Sequence, residues 1–221
     1  MIFFEKNTLT FFKNLRKNNN REWFNGNKDK YVAHVKEPFE RFVGHMIGEM
    51  HRINPKVAIQ PKDAIFRIYR DTRFSKDKTP YKEHTSAVIS QGGRKDMTTP
   101  GLYIQMNDLD FRMYSGMYSP DKQQLQKIRE AIARDPKGFK KLYSRKTFKD
   151  SFGEIRGEKN KRLPKEFVDA AEVEPLIFNK GFYFFAKLDP KVVLDKNLPK
   201  TIMKHWKIAQ PLNDFFQDAI Q

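Results

Sequence analysis

The chain has 221 residues, of which 38% are hydrophobic, 14% aromatic and 32% charged, and it contains no cysteine. This aromatic content can bury a sizeable core, which excludes an intrinsically disordered protein, and the lack of cysteine excludes disulfides, zinc–thiolate sites and a thiol nucleophile. Lys and Arg outnumber Asp and Glu by 43 to 27, a net charge of +16. No apolar run is long enough to span a membrane and the N-terminus lacks the order of a secretory signal, so we expect a cytoplasmic, bacterial-type protein without a membrane partner.

Helical signals dominate the first sixty residues. Thr8 or Thr10 is predicted to cap a helix that runs to Leu15, and Asn20 is predicted to cap the next one. Apolar residues then recur at i, i+3, i+4, i+7, i+8 and i+11, which is typical of an amphipathic helix packed on a core. These residues are Phe39, Phe42, Val43, Met46, Ile47 and Met50.

Strand signals follow this helix. Residues 64–69 and 85–90 are predicted to be strands, and residues 102–106 and 111–114 are predicted to form a hairpin around the turn at 107–110. Because no helix intervenes, these four strands indicate a mainly antiparallel sheet.

The second half of the chain returns to helices. Asp121 and Asp135 are each predicted to open a helix. Residues 144–165 are basic and hold few apolar anchors, so they are predicted to form a loop or a loosely held excursion. Residues 176–178 and 182–188 look extended, the second being apolar enough for a buried strand, and a helix is expected from about Pro199.

These elements predict an α+β fold whose mainly antiparallel sheet is flanked by N-terminal, central and C-terminal helices. The chain has no internal repeat and no linker rich in Gly and Ser. A single domain over residues 1–221 is therefore predicted.

One stretch, residues 67–82, holds three Arg, three Lys, two Asp and two Tyr. In one interpretation its cations line a pocket for phosphate or carboxylate, because the guanidinium group suits bidentate contacts. In the other, Asp71 and Asp77 pair with the arginines and pin a long loop onto the sheet. In the first interpretation, Phe74 is expected to be the apolar anchor that seats the loop. Six cations against two carboxylates leave a surplus, which supports the first interpretation. The residues predicted to bind an anionic small molecule are Arg67, Arg70, Asp71, Arg73, Lys78, Tyr81 and Lys82, with His84 as a neighbouring general acid or base.

The same stretch carries a resemblance. Arg67-x-x-Arg70-Asp71-x-Arg73-Phe74, followed by Asp77-Lys78 and Pro80-Tyr81-Lys82, resembles the signature of a widespread bacterial family, domain of unknown function 2461. The segments 19–24, 116–120 and 128–132 are similar to other patterns of that family, whereas residues 144–165 are the least similar. The resemblance implies a stand-alone protein of about this length and brings no established activity, cofactor or ligand.

A second basic stretch, residues 122–165, contains fifteen basic and five acidic residues together with four aromatic ones. Cations interleaved with aromatics can bind single-stranded nucleic acid by phosphate contacts and stacking. The alternative is a basic helix whose aromatics face the core, followed by a solvated loop. The residues predicted to carry nucleic-acid binding are Lys140, Lys141, Arg145 and Lys146. A non-catalytic interaction module with a structural Arg/Asp network is the third possibility.

None of the five histidines belongs to a dense metal-ligand motif, and His45 with Glu49 is expected to be an ordinary helical pair. The sequence has no phosphate-binding loop, nucleophile elbow or dinucleotide fingerprint, so no cofactor or metal is predicted. The residues do not decide between an enzyme and a binding protein. Phosphoryl and acyl chemistry both stay open, as does the oligomeric state.

Overall fold

The computed structural model describes residues 1–96 and 98–221, and it confirms the predicted α+β class. Four antiparallel strands form one sheet in the order β1-β2-β3-β4. The strands are β1 (Thr85–Ile89), β2 (Leu102–Met106), β3 (Phe111–Met117) and β4 (Phe182–Leu188). The strands predicted at 85–90, 102–106, 111–114 and 182–188 are therefore confirmed, with β3 longer than predicted. Helices lie at the N-terminus, between β3 and β4, and at the C-terminus.

The chain divides into two compact units. Unit 1 comprises Met1–Lys95, Tyr103–Met113 and Lys187–Ile202, and unit 2 comprises Asp96–Leu102, Tyr114–Ala186 and Met203–Gln221. The single domain expected over residues 1–221 stays a prediction.

Unit 1 begins with helices. They are α1 (Lys6–Lys17), α2 (Arg21–Gly26), α3 (Lys28–Tyr31), a π-helical turn (Val32–Lys36), α4 (Glu37–Ile53) and α5 (Pro61–Ala64). All six apolar residues of the predicted stripe are buried on α4. Asn20 caps α2 as predicted, because its side chain accepts the backbone N–H of Trp23 at 2.9 Å. The cap predicted at Thr8 or Thr10 is wrong: α1 begins at Lys6, and the Thr8 hydroxyl donates instead to the carbonyl of His34 at 2.7 Å.

A buried cluster joins the first helices to the charged stretch. Its members are Phe11, Phe12, Leu15, Phe24, Val35, Ile68 and Tyr81, with Trp23 and Tyr31 packed against them. Ile68 and Tyr81 lie on opposite sides of the segment 71–79. The two ends of that segment are therefore fixed to the helices by apolar burial.

Residues 65–70 run beside residues 80–87 without forming a regular strand. Two isolated antiparallel bridges join them, Ile65 to Ala87 and Tyr69 to Tyr81. Three residues lie between the bridges on one side and five on the other, so the longer side forms a bulge. The strand predicted at 64–69 is wrong, because α5 ends at Ala64 and the bulge interrupts the pairing that would continue a strand.

Unit 2 contains α6 (Lys122–Arg134), α7 (Pro136–Ser144), α8 (Lys146–Phe152) and α9 (Val168–Val173). Asp121 and Asp135 cap α6 and α7, as predicted, by accepting backbone N–H groups of the first turn. The extended segment predicted at 176–178 is wrong, since it belongs to a 3-10 helix, Pro175–Phe178.

The loop predicted at 144–165 is wrong for residues 146–152, which form α8, whereas residues 153–164 contain no helix or regular strand. Phe148 and Phe152, one helical turn apart, are both buried and anchor α8 on the core. Residues 156–160 then pair with residues 178–183 through four backbone hydrogen bonds of 2.7–3.0 Å. Two aromatic anchors and this pairing hold a segment that its charge alone would leave solvated.

The last helix, α10 (Leu198–Ile220), confirms the helix expected from about Pro199 and continues through Pro211. In the described part of the chain, no helix combines the length and the apolar character needed to cross a membrane.

Candidate functional site

Arg70 holds the base of the segment 71–79, which we call the Arg70 loop. Its Nη1 lies 2.5 Å from Oδ2 of Asp77 and also donates to the Thr79 hydroxyl, while Nη2 lies 3.5 Å from the Ser75 hydroxyl. The backbone N–H of Thr79, the Arg70 guanidinium and the Thr79 hydroxyl together lower the pKa of Asp77 to about 2. The Arg70 guanidinium is therefore already bound by side chains of the loop that follows it.

The rest of the Arg70 loop is paired within itself. Arg73 forms a bidentate pair with Asp71, with distances of 3.0 and 2.7 Å, and these hydrogen bonds lower the pKa of Asp71. The Lys78 ammonium donates to the carbonyl of Thr72 at 2.9 Å. Of the predicted ligand-binding residues, Arg70, Asp71, Arg73 and Lys78 therefore lie in a closed network of the loop's own groups.

Phe74 does not anchor this loop. Its side chain is 95% exposed, and the Arg73 guanidinium lies 5.8 Å from the ring centroid. The prediction that it seats the loop is wrong, because Ile68 and Tyr81 perform that role from either side.

Tyr81 lies in the core. Its ring stacks on Phe24 with centroids 4.0 Å apart, and Asn19 exchanges two hydrogen bonds with its backbone. Burial raises the pKa of Tyr81, and the nearby Tyr69 adds to the rise. The structure thus separates Tyr81 from the cations that neighbour it in sequence.

Three predicted residues form a different arrangement, which we call the Arg67–Lys82 surface: Arg67, Lys82 and His84. Arg67 is exposed, and Lys82 and His84 are half-buried. Burial lowers the pKa of the Lys82 ammonium, and the charge of Arg67 lowers it further. Burial also lowers the pKa of His84 to about 4, with the charges of Lys82 and Arg112 adding to the shift and that of Asp110 opposing it. The charge of Arg67 thus acts on Lys82, and the charge of Lys82 acts on His84.

The carboxylates around this surface are bound to other cations. Arg16 contacts Glu83 at 3.0 Å and Asp108 at 2.5 Å. Asp110, whose side chain is buried, contacts Arg112 at 2.7 Å and Lys187 at 3.5 Å. Within residues 1–96 and 98–221, neither Arg67 nor Lys82 forms an ion pair. Of the six cations in residues 67–82, four form no ion pair among the described residues, and two of these four, Arg67 and Lys82, lie on this surface.

The basic stretch offers charge without stacking rings. Lys140, Lys141, Arg145 and Lys146 are all exposed. Phe139, Phe148 and Phe152 are buried, and the Tyr143 hydroxyl donates to the buried Glu174 at 2.6 Å. These aromatics belong to the core of unit 2, so a single strand would meet only phosphate-binding groups there.

A cleft of about 540 Å³ lies in unit 2, and none of the predicted ligand-binding residues lines it. Tyr118, Lys122, Lys180 and Tyr183 contribute side chains to its wall, and Glu158 contacts Lys180 at 3.4 Å. In the described part of the chain, no three His, Asp or Glu residues come together as a metal site. His45 and Glu49 lie 3.9 Å apart as the expected i,i+4 pair.

Comparison with protein families gives one match. The family model described as a conserved hypothetical protein, DUF2461, covers residues 7–215. The chain belongs to the DUF2461 family. No curated protein and no solved structure matches it.

In this DUF2461 protein, sequence reasoning missed the aromatic residues beside Lys82. The Lys82 ammonium lies 5.1 Å from the centroid of the half-buried Phe66 ring, and Tyr103 lies next to Phe66. The alternation in β2 was the available signal: Leu102, Ile104 and Met106 are buried, so Tyr103 and Gln105 occupy the opposite face.

Proposed function

We propose that this DUF2461 protein binds a small anionic ligand, through a phosphate or carboxylate group, at the Arg67–Lys82 surface. The observation that carries the proposal is that neither Arg67 nor Lys82 forms an ion pair among the described residues, whereas five carboxylates of the same unit each contact another cation. These carboxylates are Asp71, Asp77, Glu83, Asp108 and Asp110. A bound anion would supply the missing counter-charge.

The roles follow from the chemistry of each side chain. Arg67 offers a planar fork of N–H donors for two oxygens of one anionic group. Lys82 offers an ammonium with reduced access to water, and a partly desolvated charge interacts more strongly with an anion than a solvated one. His84 is neutral at pH 7, because its pKa is about 4, and a neutral imidazole adds one N–H donor.

The electrostatic coupling gives the binding a specific signature. Positive neighbours disfavour the imidazolium form of His84, and an anion beside Lys82 would offset them. Ligand binding should therefore raise the pKa of His84 from about 4 towards its ordinary value of 6.5.

Calorimetry and thermal shift with ribose 5-phosphate test the proposal. The ligand should raise the melting temperature in a concentration-dependent way, because it binds the folded state only. Arg67→Ala and Lys82→Met should each weaken binding by about tenfold or more, since a charge-assisted hydrogen bond contributes about 1.5–3 kcal/mol. Lys122→Ala is the matched control, because it removes one positive charge from the cleft of unit 2.

Three outcomes count against the proposal. Folded Arg67→Ala and Lys82→Met variants that bind like the wild type would overturn it. Loss of binding in Lys122→Ala alone would place the ligand in the cleft. Binding that leaves the pKa of His84 unchanged would remove His84 from the site.

A further inference from the structure

An aromatic ring lies beside the ammonium of the Arg67–Lys82 surface, and a second ring lies next to the first. The centroids of Phe66 and Tyr103 lie 6.2 Å apart with their planes tilted by 54°, and both residues are half-buried. The Lys82 Nζ atom lies 5.1 Å from the Phe66 centroid, so the charge and the rings share one surface. The electrons of the ring attract the ammonium but do not neutralise it, so its capacity to bind an anion is retained.

A hydrogen-bonding group borders the rings. The Tyr103 hydroxyl donates to Oε1 of Gln105 at 3.0 Å, and Gln105 follows Tyr103 on the same face of β2. This contact orients the amide group of Gln105 beside the ring pair. The two rings are partly exposed and lie next to an oriented amide, and Arg67 and Lys82 form no ion pair in the described chain. Together these features suit a ligand in which a planar heterocycle is joined to an anionic group.

We infer that the ligand of the Arg67–Lys82 surface is a nucleoside monophosphate, whose base packs against Phe66 and Tyr103 while its phosphate contacts Arg67 and Lys82. This inference rests on the proposed anion binding and specifies the class of ligand. Gln105 adds a polar contact at the edge of the base.

The experiment compares adenosine 5′-monophosphate, ribose 5-phosphate and adenosine by calorimetry under one buffer and salt condition. The monophosphate should bind about tenfold more tightly than ribose 5-phosphate, since stacking of one base on an aromatic side chain contributes at least that factor. Phe66→Leu and Tyr103→Leu should each reduce this ratio and leave the affinity for ribose 5-phosphate unchanged. Arg67→Ala should weaken both phosphates by the same factor and keep the ratio.

Phe185→Leu is the matched control. Phe185 is also half-buried on a strand, and the Arg156 guanidinium lies 4.4 Å from its centroid, so the substitution removes an equivalent ring beneath an equivalent cation in unit 2. It should change neither affinity. An unchanged ratio in folded Phe66→Leu and Tyr103→Leu variants, or an equal reduction in Phe185→Leu, would overturn the inference.

The outcomes separate this inference from the function on which it rests. Equal affinities of the wild type for adenosine 5′-monophosphate and ribose 5-phosphate would overturn the nucleotide inference and leave anion binding intact. No detectable binding of either phosphate would overturn both. Adenosine that binds as tightly as its monophosphate would contradict the anion binding at this surface. The wild-type comparison decides these cases even where a variant fails to fold.

Discussion

The guanidinium of Arg70 closes the Arg70 loop by contacting the carboxylate of Asp77, seven residues further along the chain, at 2.5 Å. Asp77→Asn removes the charge of this contact and keeps the size of the side chain. We expect faster chymotryptic cleavage after the exposed Phe74 with little change in melting temperature, because the loop opens locally while its ends stay packed on Ile68 and Tyr81. Lys76→Gln, in the same loop, is the control and should cleave at the wild-type rate.

The acidity of Asp77 gives a second measure of the same contact. Its pKa of about 2 lies below the ordinary value of 3.8, so the contribution of the carboxylate is present above pH 3.8 and is lost as the pH falls through 2. A carboxyl carbon titration by NMR should give a midpoint near 2 in the wild type. The midpoint should move upward in Arg70→Ala, and an unchanged midpoint would show that the guanidinium does not hold Asp77.

The lowered pKa of His84, a basic group, predicts how stability depends on pH. Because its folded pKa of about 4 lies below the ordinary 6.5, the unfolded chain binds the extra proton between these pH values. Stability should therefore rise as the pH increases from 4 to 6.5 and level off above, and His84→Gln should flatten this part of the profile.

Removing the charge of Lys82 tests what lowers the pKa of His84. Lys82→Met should raise the pKa of His84, measured from imidazole proton shifts, because it removes a positive charge that disfavours the imidazolium. Lys76→Met removes an exposed charge that has no part in the shift, and it should leave the titration unchanged. Equal titrations in all three proteins would show that the charge of Lys82 does not contribute to the shift.

Phe74 and Phe24 should respond in opposite ways to truncation. Phe74 is 95% exposed, so Phe74→Ser should change the free energy of unfolding by less than about 0.5 kcal/mol. Phe24 is 2% exposed and stacks on Tyr81, so Phe24→Ala should cost about 3–5 kcal/mol. Urea denaturation measures both, and a large loss in Phe74→Ser would restore Phe74 as the anchor of the loop.

Much of the fold follows from local sequence signals. The stripe from Phe39 to Met50 repeats every three and four residues and is buried on α4. Likewise, Asn20 predicts the helix that it caps, and the alternation of apolar and polar residues predicts β2. In each case residues close in sequence decide the outcome.

The failures of sequence reasoning come from contacts between distant residues. The bulge opposite residues 65–70 depends on a partner segment whose register no local pattern reveals. Likewise the sequence shows six cations and two carboxylates, but which cations keep a free charge depends on Arg16, Asp108, Asp110 and Lys187. The candidate site could therefore be located to residues 67–84 but not divided into its structural and ligand-binding parts.

Tyr143 and Glu174 form a buried pair in unit 2. The Tyr143 hydroxyl donates to Oε2 of Glu174 at 2.6 Å, and Glu174 is fully buried. Tyr143→Phe leaves that oxygen without its donor, so it should lower the free energy of unfolding by about 1–3 kcal/mol in urea denaturation. Tyr118→Phe removes the hydroxyl of a side chain that is 60% exposed and should fall within about 0.5 kcal/mol of the wild type. Equal losses in both variants would contradict a special role for the buried pair.

Substitution of two glycines by alanine should change the stability of the protein in opposite directions. Gly116 in β3 has a φ of +96°, and a Cβ there would lie within van der Waals overlap of the carbonyl oxygen of Phe182. Because strain and a backbone clash combine, Gly116→Ala should destabilise the protein by at least about 2 kcal/mol. Gly48 is exposed on α4, and no atom outside its own stretch of helix lies within 4 Å of the position that a Cβ would occupy. Gly48→Ala should therefore stabilise by about 0.5–1 kcal/mol, since alanine loses less entropy in a helix. Thermal and urea unfolding of the two variants measure both signs. A tolerated alanine at 116 would mean that β3 and β4 can separate locally without loss of the fold.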